Sequence, residues 1–234
     1  MMFKKVKDYS KLTIYNREQQ TKRENYRILN DEFALENQTV LLGDSITDFF
    51  NWYELFYDFC EKSGQAVYNR GIGGDTTDRL IERLQENVLN IKPKNVVLLI
   101  GTNDIGRGLP LSMTIDNVSK IIETTKNACP DVNFVLQAVY PINQGIRDRF
   151  EKRSNEKIDL MNKEFIKISE KYNCVWLDIT DKLKDETGNL KKEYTFDVDA
   201  KFVIDNCAVV AVLINTETKE VVQVGEVALG KATH

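Results

Sequence analysis

The feature that most constrains the fold is a series of five short apolar runs separated by segments with helical spacing. The stretch "NVVLLIG" at residues 95–101 is apolar from Val96 to Ile100, which is typical of a parallel strand covered on both faces. Similar runs, TVLLG, AVYNRGI, NFVLQAVY and CVWLDI, occupy residues 39–43, 66–72, 133–140 and 174–179. Together they predict an α/β fold, a three-layer α/β/α sandwich around a five-stranded parallel sheet.

The segments between these runs repeat apolar residues every three or four positions. One such face is formed by Leu80, Leu84 and Val88, a second by Ile115, Val118 and Ile122, and a third by Ile158, Met161, Phe165 and Ile166. This period predicts amphipathic helices that cover the sheet. Residues 15–30 predict a charged leading helix with a thin apolar stripe.

Composition restricts the classes of protein to consider. A chain of 234 residues can bury a sizeable core in one α/β domain, and 42% hydrophobic with 29% charged residues excludes a disordered chain. The net charge of −4 and the lack of a basic run argue against a nucleic-acid partner.

The first 20 residues contain no apolar core of signal-peptide length, and no window reaches the apolar length of a membrane span, so we expect a cytoplasmic protein. The four cysteines, at positions 60, 129, 174 and 207, lie far apart without metal-binding spacing. They predict reduced thiols rather than a metal site or disulfides.

Polar motifs follow the first three predicted strands. The first strand leads into Gly43-Asp44-Ser45, the second into "NRGIGGDTTDRL" and the third into "GTNDIG". Because the carboxyl ends of parallel strands meet at one edge of a sheet, we expect these motifs to form one site. A hydroxyl, a glycine loop and a carboxamide supply a nucleophile and donors for a developing oxyanion, which favours acyl transfer.

Each motif taken singly has a structural explanation. Ser45 could cap the helix that follows it, and the glycine stretch and Asn103 could simply form turns. A nucleotide-binding protein is disfavoured because "GIGGDT" lacks the GxGxxG spacing and no GK[ST] follows it. A glycosidase with two carboxylates from Asp44, Asp75, Asp104 and Asp197 stays open, although the spacing singles out no pair.

The motifs "GDS", "NRGIGGDTT" and "GTND" resemble the first three sequence blocks of the SGNH hydrolases, also called the GDSL esterase/lipase family. The resemblance runs from about residue 15 to residue 196 and includes "QAVYP" at 137–141. It implies a flavodoxin-like sheet with strand order 2-1-3-4-5. It also implies a serine esterase that cleaves a carboxylic ester of a lipid, an acetylated sugar or a small alcohol through an acyl-enzyme, without a cofactor or a metal.

The resemblance also implies roles for individual residues. Ser45 would be the nucleophile, and its N–H would join the Gly74 N–H and the Asn103 side chain in the oxyanion hole. Asp197, at the end of "EYTFD", matches the acid of the family's fourth block, Asp-x-x-His.

The histidine of that block is missing, because Ala200 occupies its position and the chain's one histidine is His234. A serine hydroxyl is a poor nucleophile without an adjacent base, so we expect impaired turnover. The alternative is an inactive protein of the same fold that binds an acyl or carboxylate ligand.

The chain departs from the family at about residue 197. Residues 202–214 and 220–229 are rich in β-branched residues and flank "NTETK", which predicts an atypical β-hairpin. The sequence therefore predicts one SGNH hydrolase-like domain at residues 1–196, followed by a tail at 197–234 that is not an independent domain.

Overall fold

The computed structural model describes residues 2–50, 52–143 and 152–189, and the segments 208–214 and 221–228. Side chains are described for residues 16–50, 56–57, 60–143 and 152–189. The chain forms two compact units, Met1–Lys191 and Lys192–His234.

Helices and strands alternate along the described residues. The helices are α1 (Met2–Glu32), α2 (Ser45–Asp48), α3 (Trp52–Ser63), α4 (Thr77–Asn87), α5 (Thr102–Arg107), α6 (Leu111–Ala128), α7 (Asn155–Lys171) and α8 (Thr180–Leu183). The strands are β1 (Thr39–Gly43), β2 (Val67–Gly71), β3 (Asn95–Leu99), β4 (Asn133–Gln137), β5 (Val175–Leu177), β6 (Ala208–Ile214) and β7 (Val221–Ala228). Among these residues, no helix combines the length and the apolar character needed to cross a bilayer.

The first five strands form a parallel sheet in the order β2-β1-β3-β4-β5, with helices on both sides. Val40 of β1 pairs with Tyr68 of β2 and Val96 of β3. The predicted fold class and strand order are therefore confirmed. Each strand keeps to its predicted run, and because all the ladders are parallel, the carboxyl ends of β1, β2 and β3 lie side by side.

Strand β4 is shorter than its apolar run. It ends at Gln137, although the Ala138 N–H still donates to the Leu177 carbonyl of β5 at 2.9 Å, and from Val139 the hydrogen bonds change partner. The side chain of Asn162 in α7 accepts from the Val139 N–H at 2.8 Å and donates to the Val139 carbonyl at 3.0 Å. A side-chain amide thus replaces the strand ladder at this point, which the apolar pattern did not predict.

The core lies between the sheet and the helices. Strand residues Val40, Leu42, Val96, Leu98 and Leu136 are fully buried. The predicted faces of α4 and α6 pack on this core. In α7, Ile158, Met161 and Phe165 are buried, but Ile166 is 36% exposed and Ile168 is buried instead. The placement of Ile166 on this face was wrong, because residue 168 completes the three-four spacing while 166 is turned by about 100° from 165.

Helix α1 is longer than the predicted 15–30, and the side chains that pack it against the domain are not the predicted apolar ones. Ile28 and Leu29 are 42% and 44% exposed, whereas Gln19 and Asn30 are buried. The Asn30 amide donates to the Glu86 carbonyl at 2.9 Å. Polar contacts rather than the predicted apolar stripe therefore hold the described side chains of α1 against the domain.

In the second unit, β6 and β7 pair antiparallel, with Ala208 opposite Ala228 and an irregularity between Leu213 and Ile214. The two strands of the predicted hairpin are confirmed, and residues 202–207 lie outside the described residues. The boundary between the two units falls between Lys191 and Lys192, and the predicted domain boundary at residue 196 stays a prediction. That the second unit is a tail rather than an independent domain stays a prediction.

We expect Phe165→Ala to lower the free energy of unfolding by about 3–5 kcal/mol, because it removes a fully buried ring from the core. Ile166→Ala, at the adjacent and exposed position, should change it by about 0.5 kcal/mol or less. Urea unfolding of the two variants measures the difference. Equal losses would show that α7 packs on a different face.

Candidate active site

Ser45 lies directly beyond the carboxyl end of β1, as the first residue of α2. Asp44 is the N-cap, and its Oδ1 accepts from the Ile46 N–H at 3.0 Å. The cap is therefore Asp44 and not Ser45, which leaves the half-buried Ser45 side chain without a capping role. Glycine is required at position 43, since a Cβ there would lie 2.3 Å from Thr47 Oγ1 and 2.4 Å from the Leu99 carbonyl oxygen.

The glycine loop after β2 passes beside Ser45. A Cβ at Gly73 would lie 3.8 Å from the Ser45 Cβ. Gly74 has a φ of +74°, a conformation that favours glycine, and its carbonyl accepts from Arg107 Nη2 at 2.9 Å. Within the described part of the chain, the Gly74 N–H makes no hydrogen bond. It is therefore a donor available beside the predicted nucleophile.

Asn103, the second residue of α5, brings a carboxamide to the same edge. Its Nδ2 donates to the Asp75 carbonyl at 3.0 Å and to Asp44 Oδ2 at 3.3 Å. Asp75 and Asp44 are the chain neighbours of Gly74 and Ser45. The structure thus gathers the three residues predicted for nucleophile and oxyanion hole at one place, while their catalytic roles stay predictions.

Arg153 orients this carboxamide and was missed in the sequence. Its Nη2 donates to Asn103 Oδ1 at 2.8 Å, and its Nε donates to the Thr102 carbonyl at 2.9 Å. Because a guanidinium only donates, the amide oxygen must face Arg153, and the amide nitrogen faces Asp44 and Asp75. Arg153 belongs to no motif and lies 50 residues from Asn103 along the chain, so no local pattern indicated it.

Helix α1 holds the glycine loop from outside. Gln19 Nε2 donates to the Gly73 carbonyl at 2.7 Å, and the Tyr26 hydroxyl donates to the Gly71 carbonyl at 2.8 Å. Lys22 forms an ion pair with Asp48, whose Oδ2 accepts from the Gly73 N–H at 2.8 Å. Positions 19, 22 and 26 share one helical face. Their three-and-four spacing was visible in the sequence, but a search for apolar residues at helical spacing does not detect polar ones.

Buried carboxylates connect the three motifs. Asp75 Oδ2 accepts from Arg83 Nε at 2.7 Å, and both side chains are buried. Asp104 accepts from the Thr77 hydroxyl at 2.6 Å and from the Thr77 N–H at 3.2 Å. These bonds commit both carboxylates to structure. A glycosidase acid–base pair built from Asp75 and Asp104 does not fit this arrangement.

Asp44 is also buried, at 1% exposure. Burial raises its pKa to about 7, against the stabilising hydrogen bond from the Ile46 N–H, and the negative charge of Asp75 raises it further. The carboxyl beside Ser45 therefore changes protonation near neutral pH.

Asp197 and Ala200, in the predicted fourth block, and His234 lie outside the described residues. The described part of the chain contains no histidine. Within it, the Ser45 hydroxyl makes no hydrogen bond. The described residues therefore include the predicted nucleophile and oxyanion donors but not the predicted fourth block.

Residues 41–198 match the profile of the GDSL-like Lipase/Acylhydrolase family. The chain belongs to this family. The match includes the three motifs and ends two residues before Ala200, so the family likeness stops where the sequence departs from the fourth block.

Curated relatives carry esterase names. The chain is 29% identical over 140 residues to the bovine (Bos taurus) platelet-activating factor acetylhydrolase IB subunit alpha1, and the match covers 57% of each chain. It is 32% identical over 116 residues to an arylesterase of Vibrio mimicus, covering 46% of this chain and 58% of that protein. The chain thus spans a little over half the length of these relatives.

Solved structures share the fold. One, described as a candidate platelet activating factor from Streptococcus pneumonia, is 31% identical with a TM-score of 0.72, and the match covers 82% of this chain and 89% of that one. A GDSL-like lipase from Bacteroides thetaiotaomicron is 24% identical with a TM-score of 0.61, covering 75% and 86%. The second likeness concerns the fold alone.

We expect Asp44→Asn to remove a pH dependence of stability. Because the pKa of Asp44 is raised in the folded state, its contribution is greatest near pH 4 and is lost as pH rises to about 7. The free energy of unfolding of the wild type, relative to the variant, should fall over this range by up to about 4 kcal/mol.

Urea unfolding at pH 4, 5.5, 7 and 8 measures this change. Asp116→Asn, at an exposed position of α6, changes the net charge equally and is the matched control. A pH profile of Asp44→Asn parallel to that of the wild type would contradict the assignment.

Proposed function

We propose that this chain is a serine acylhydrolase that cleaves a carboxylic ester, with Ser45 as nucleophile. The observation that carries the proposal is the convergence of Ser45, the Gly74 loop and the Asn103 carboxamide at one sheet edge. Family membership supports the reaction class. The esterase names of two relatives agree with it, and one of these names, acetylhydrolase, favours acetyl as the acyl group.

The reaction follows from the groups present. Ser45 Oγ attacks the ester carbonyl carbon, and the carbonyl oxygen becomes an oxyanion. The N–H groups of Ser45 and Gly74 stabilise that charge, and the Asn103 Nδ2 joins them by turning the N–H of its longer bond, 3.3 Å to Asp44 Oδ2, toward the oxyanion. Solvent water takes the Ser45 proton and returns one to the departing alkoxide, so collapse releases the alcohol and leaves an acyl-Ser45; a second water cleaves this to the carboxylic acid, which loses its proton to solvent.

The proton of the Ser45 hydroxyl has no histidine to receive it in the described part of the chain. We propose that Asp197 takes the place of the family's acid but, with Ala200 three residues later, has no imidazole to orient. Removing a triad member leaves the catalysis that the oxyanion hole and substrate binding provide. Turnover should therefore be slow but dependent on Ser45.

The alanine at position 200, in place of the family's histidine, also favours a second candidate function. A protein that keeps the oxyanion donors and lacks the base could hold an acyl or carboxylate ligand without turning it over. The oxyanion donors would then hydrogen-bond to an oxygen of the bound ligand rather than to the oxyanion of a reaction intermediate.

The first test is hydrolysis of p-nitrophenyl acetate. We expect Ser45→Ala to abolish the enzyme-dependent rate, and Asn103→Ala to lower kcat by about 10²–10³, the usual effect of losing one oxyanion donor. Asn127→Ala, at an exposed position of α6, should match the wild type. Equal rates for the wild type and Ser45→Ala would refute the esterase proposal.

That outcome would leave the binding function, which predicts retention of acetate by the wild type and loss on Asn103→Ala.

His234→Ala tests the remaining source of a base. We expect no change in rate, and a rapid turnover that disappears in this variant would identify His234 as the base.

Arg153→Gln should lower kcat by about tenfold or more with little change in KM, because the Asn103 carboxamide is no longer held with its nitrogen toward the oxyanion. Arg153→Lys, which keeps a charged donor, should recover part of the rate. Lys152→Gln at the exposed neighbouring position is the control. A loss of stability without a change in kcat would assign Arg153 a structural role alone.

A further inference from the structure

A groove outside the candidate active site lies between α1 and the open edge of β2. Its volume is about 470 Å³, within the range of small-molecule sites. Four apolar side chains, those of Leu29, Phe33, Ala34 and Phe50, contribute to its walls. Leu29, Phe33 and Phe50 remain 44%, 75% and 40% exposed, so a ligand with an apolar chain would cover surface that is now in contact with water.

Arg70 also lines this groove and is 4% exposed. Its guanidinium lies over the Tyr26 ring at 4.9 Å and the Tyr68 ring at 5.2 Å. Its hydrogen bonds go to neutral acceptors: Asn30 Oδ1 at 3.2 and 2.6 Å, and the Asn69 carbonyl at 2.9 Å. These use three of its five N–H groups.

No carboxylate pairs with Arg70 among the residues whose side chains are described. Burial lowers the pKa of Arg70, which reflects the cost of keeping this charge away from water. A buried charge without a counter-charge is unfavourable, and an anion brought to it would offset that cost.

The other charged groups of the groove cancel each other. Lys22 and Asp48 form an ion pair, and neither contributes a hydrogen bond to Arg70. The groove therefore has one excess positive charge, at the Arg70 guanidinium, beside an apolar surface.

A peptide strand is not the expected occupant, because side chains already bind the edge of β2. The Gly71 carbonyl accepts from Tyr26, the Gly71 N–H donates to Asn69 Oδ1, and the Asn69 carbonyl accepts from Arg70. Few backbone groups remain for β-strand addition.

We propose that this groove binds the anion of a medium-chain fatty acid. The carboxylate accepts from Arg70, whose planar guanidinium matches its two oxygens, and the chain lies along Leu29, Phe33 and Phe50. This site is separate from the proposed ester site. The two are connected through Asp48, which lines the groove and also holds the Gly73 N–H of the glycine loop.

Calorimetric titration of dodecanoate into the Ser45→Ala protein tests the proposal without any turnover. We expect one site per chain. Acetate, which has the charge but no chain, and dodecyltrimethylammonium, which has the chain but the opposite charge, should each bind at least about tenfold more weakly. Equal binding of dodecanoate and the ammonium ligand, or no dodecanoate binding up to its solubility limit, would overturn the proposal.

Variants locate the site. Leu29→Asp should weaken dodecanoate binding about tenfold or more, because it adds a repelling charge and removes apolar surface. Ile28→Asp, at the adjacent position of α1 with nearly equal exposure but outside the groove, should bind like the parent. Arg70→Gln should weaken binding about 10- to 100-fold.

Equal effects of Leu29→Asp and Ile28→Asp would refute the location. Loss of binding on Asn103→Ala without loss on Leu29→Asp would place dodecanoate in the ester site instead. The groove proposal and the ester-site proposal can therefore be refuted independently. The first is tested by binding to a protein that lacks the nucleophile, and the second is tested by hydrolysis.

Discussion

Arg83 and Asp75 form an ion pair buried beneath the carboxyl edge of the sheet, with 2.7 Å between Nε and Oδ2. Arg83 Nη2 also donates to the Gly43 carbonyl at 3.2 Å, and the Asp75 carbonyl accepts from Asn103. One pair therefore connects the ends of β1 and β2 and the helix that follows β3. Because water cannot replace either partner, removing one leaves a buried charge, which costs about 3–5 kcal/mol. The three motifs keep their relative positions because this interaction cannot open at low cost.

A second set of contacts acts from outside the sheet. Gln19, Lys22 and Tyr26 on α1 reach the glycine loop directly or through Asp48. A loop of successive glycines has large conformational freedom, so these contacts restrict the direction of the Gly74 N–H. The groove at Arg70 uses the same helix and shares Asp48, which gives the two proposed sites a common support.

Serine catalysis, as proposed for this site, has two parts: stabilisation of the oxyanion and removal of the serine proton. The Asn103 carboxamide, a donor of the proposed oxyanion hole, is held by Asp44, Asp75 and Arg153. At the position where the resemblance places the base, the sequence has Ala200, and the loss of the base stays a prediction. These contributions act at different atoms, one on the carbonyl oxygen and one on the serine proton. A chain can therefore lose one and retain the geometry of the other.

The apolar runs of the sequence predicted the parallel sheet and placed Ser45, Gly74 and Asn103 at its carboxyl edge, because such runs are local patterns and parallel strands bring their carboxyl ends to one edge. The strand order followed from the family resemblance. Two predictions from apolar spacing were wrong. Ile166 was assigned to the buried face of α7 but points away from the core, and the apolar stripe assigned to α1 is exposed. Three features become visible only in the folded structure: Arg153 orients Asn103, polar residues dock α1, and Arg70 is buried without a carboxylate partner among the described residues. These are contacts between side chains distant along the chain, and no spacing within one segment encodes which of them will meet.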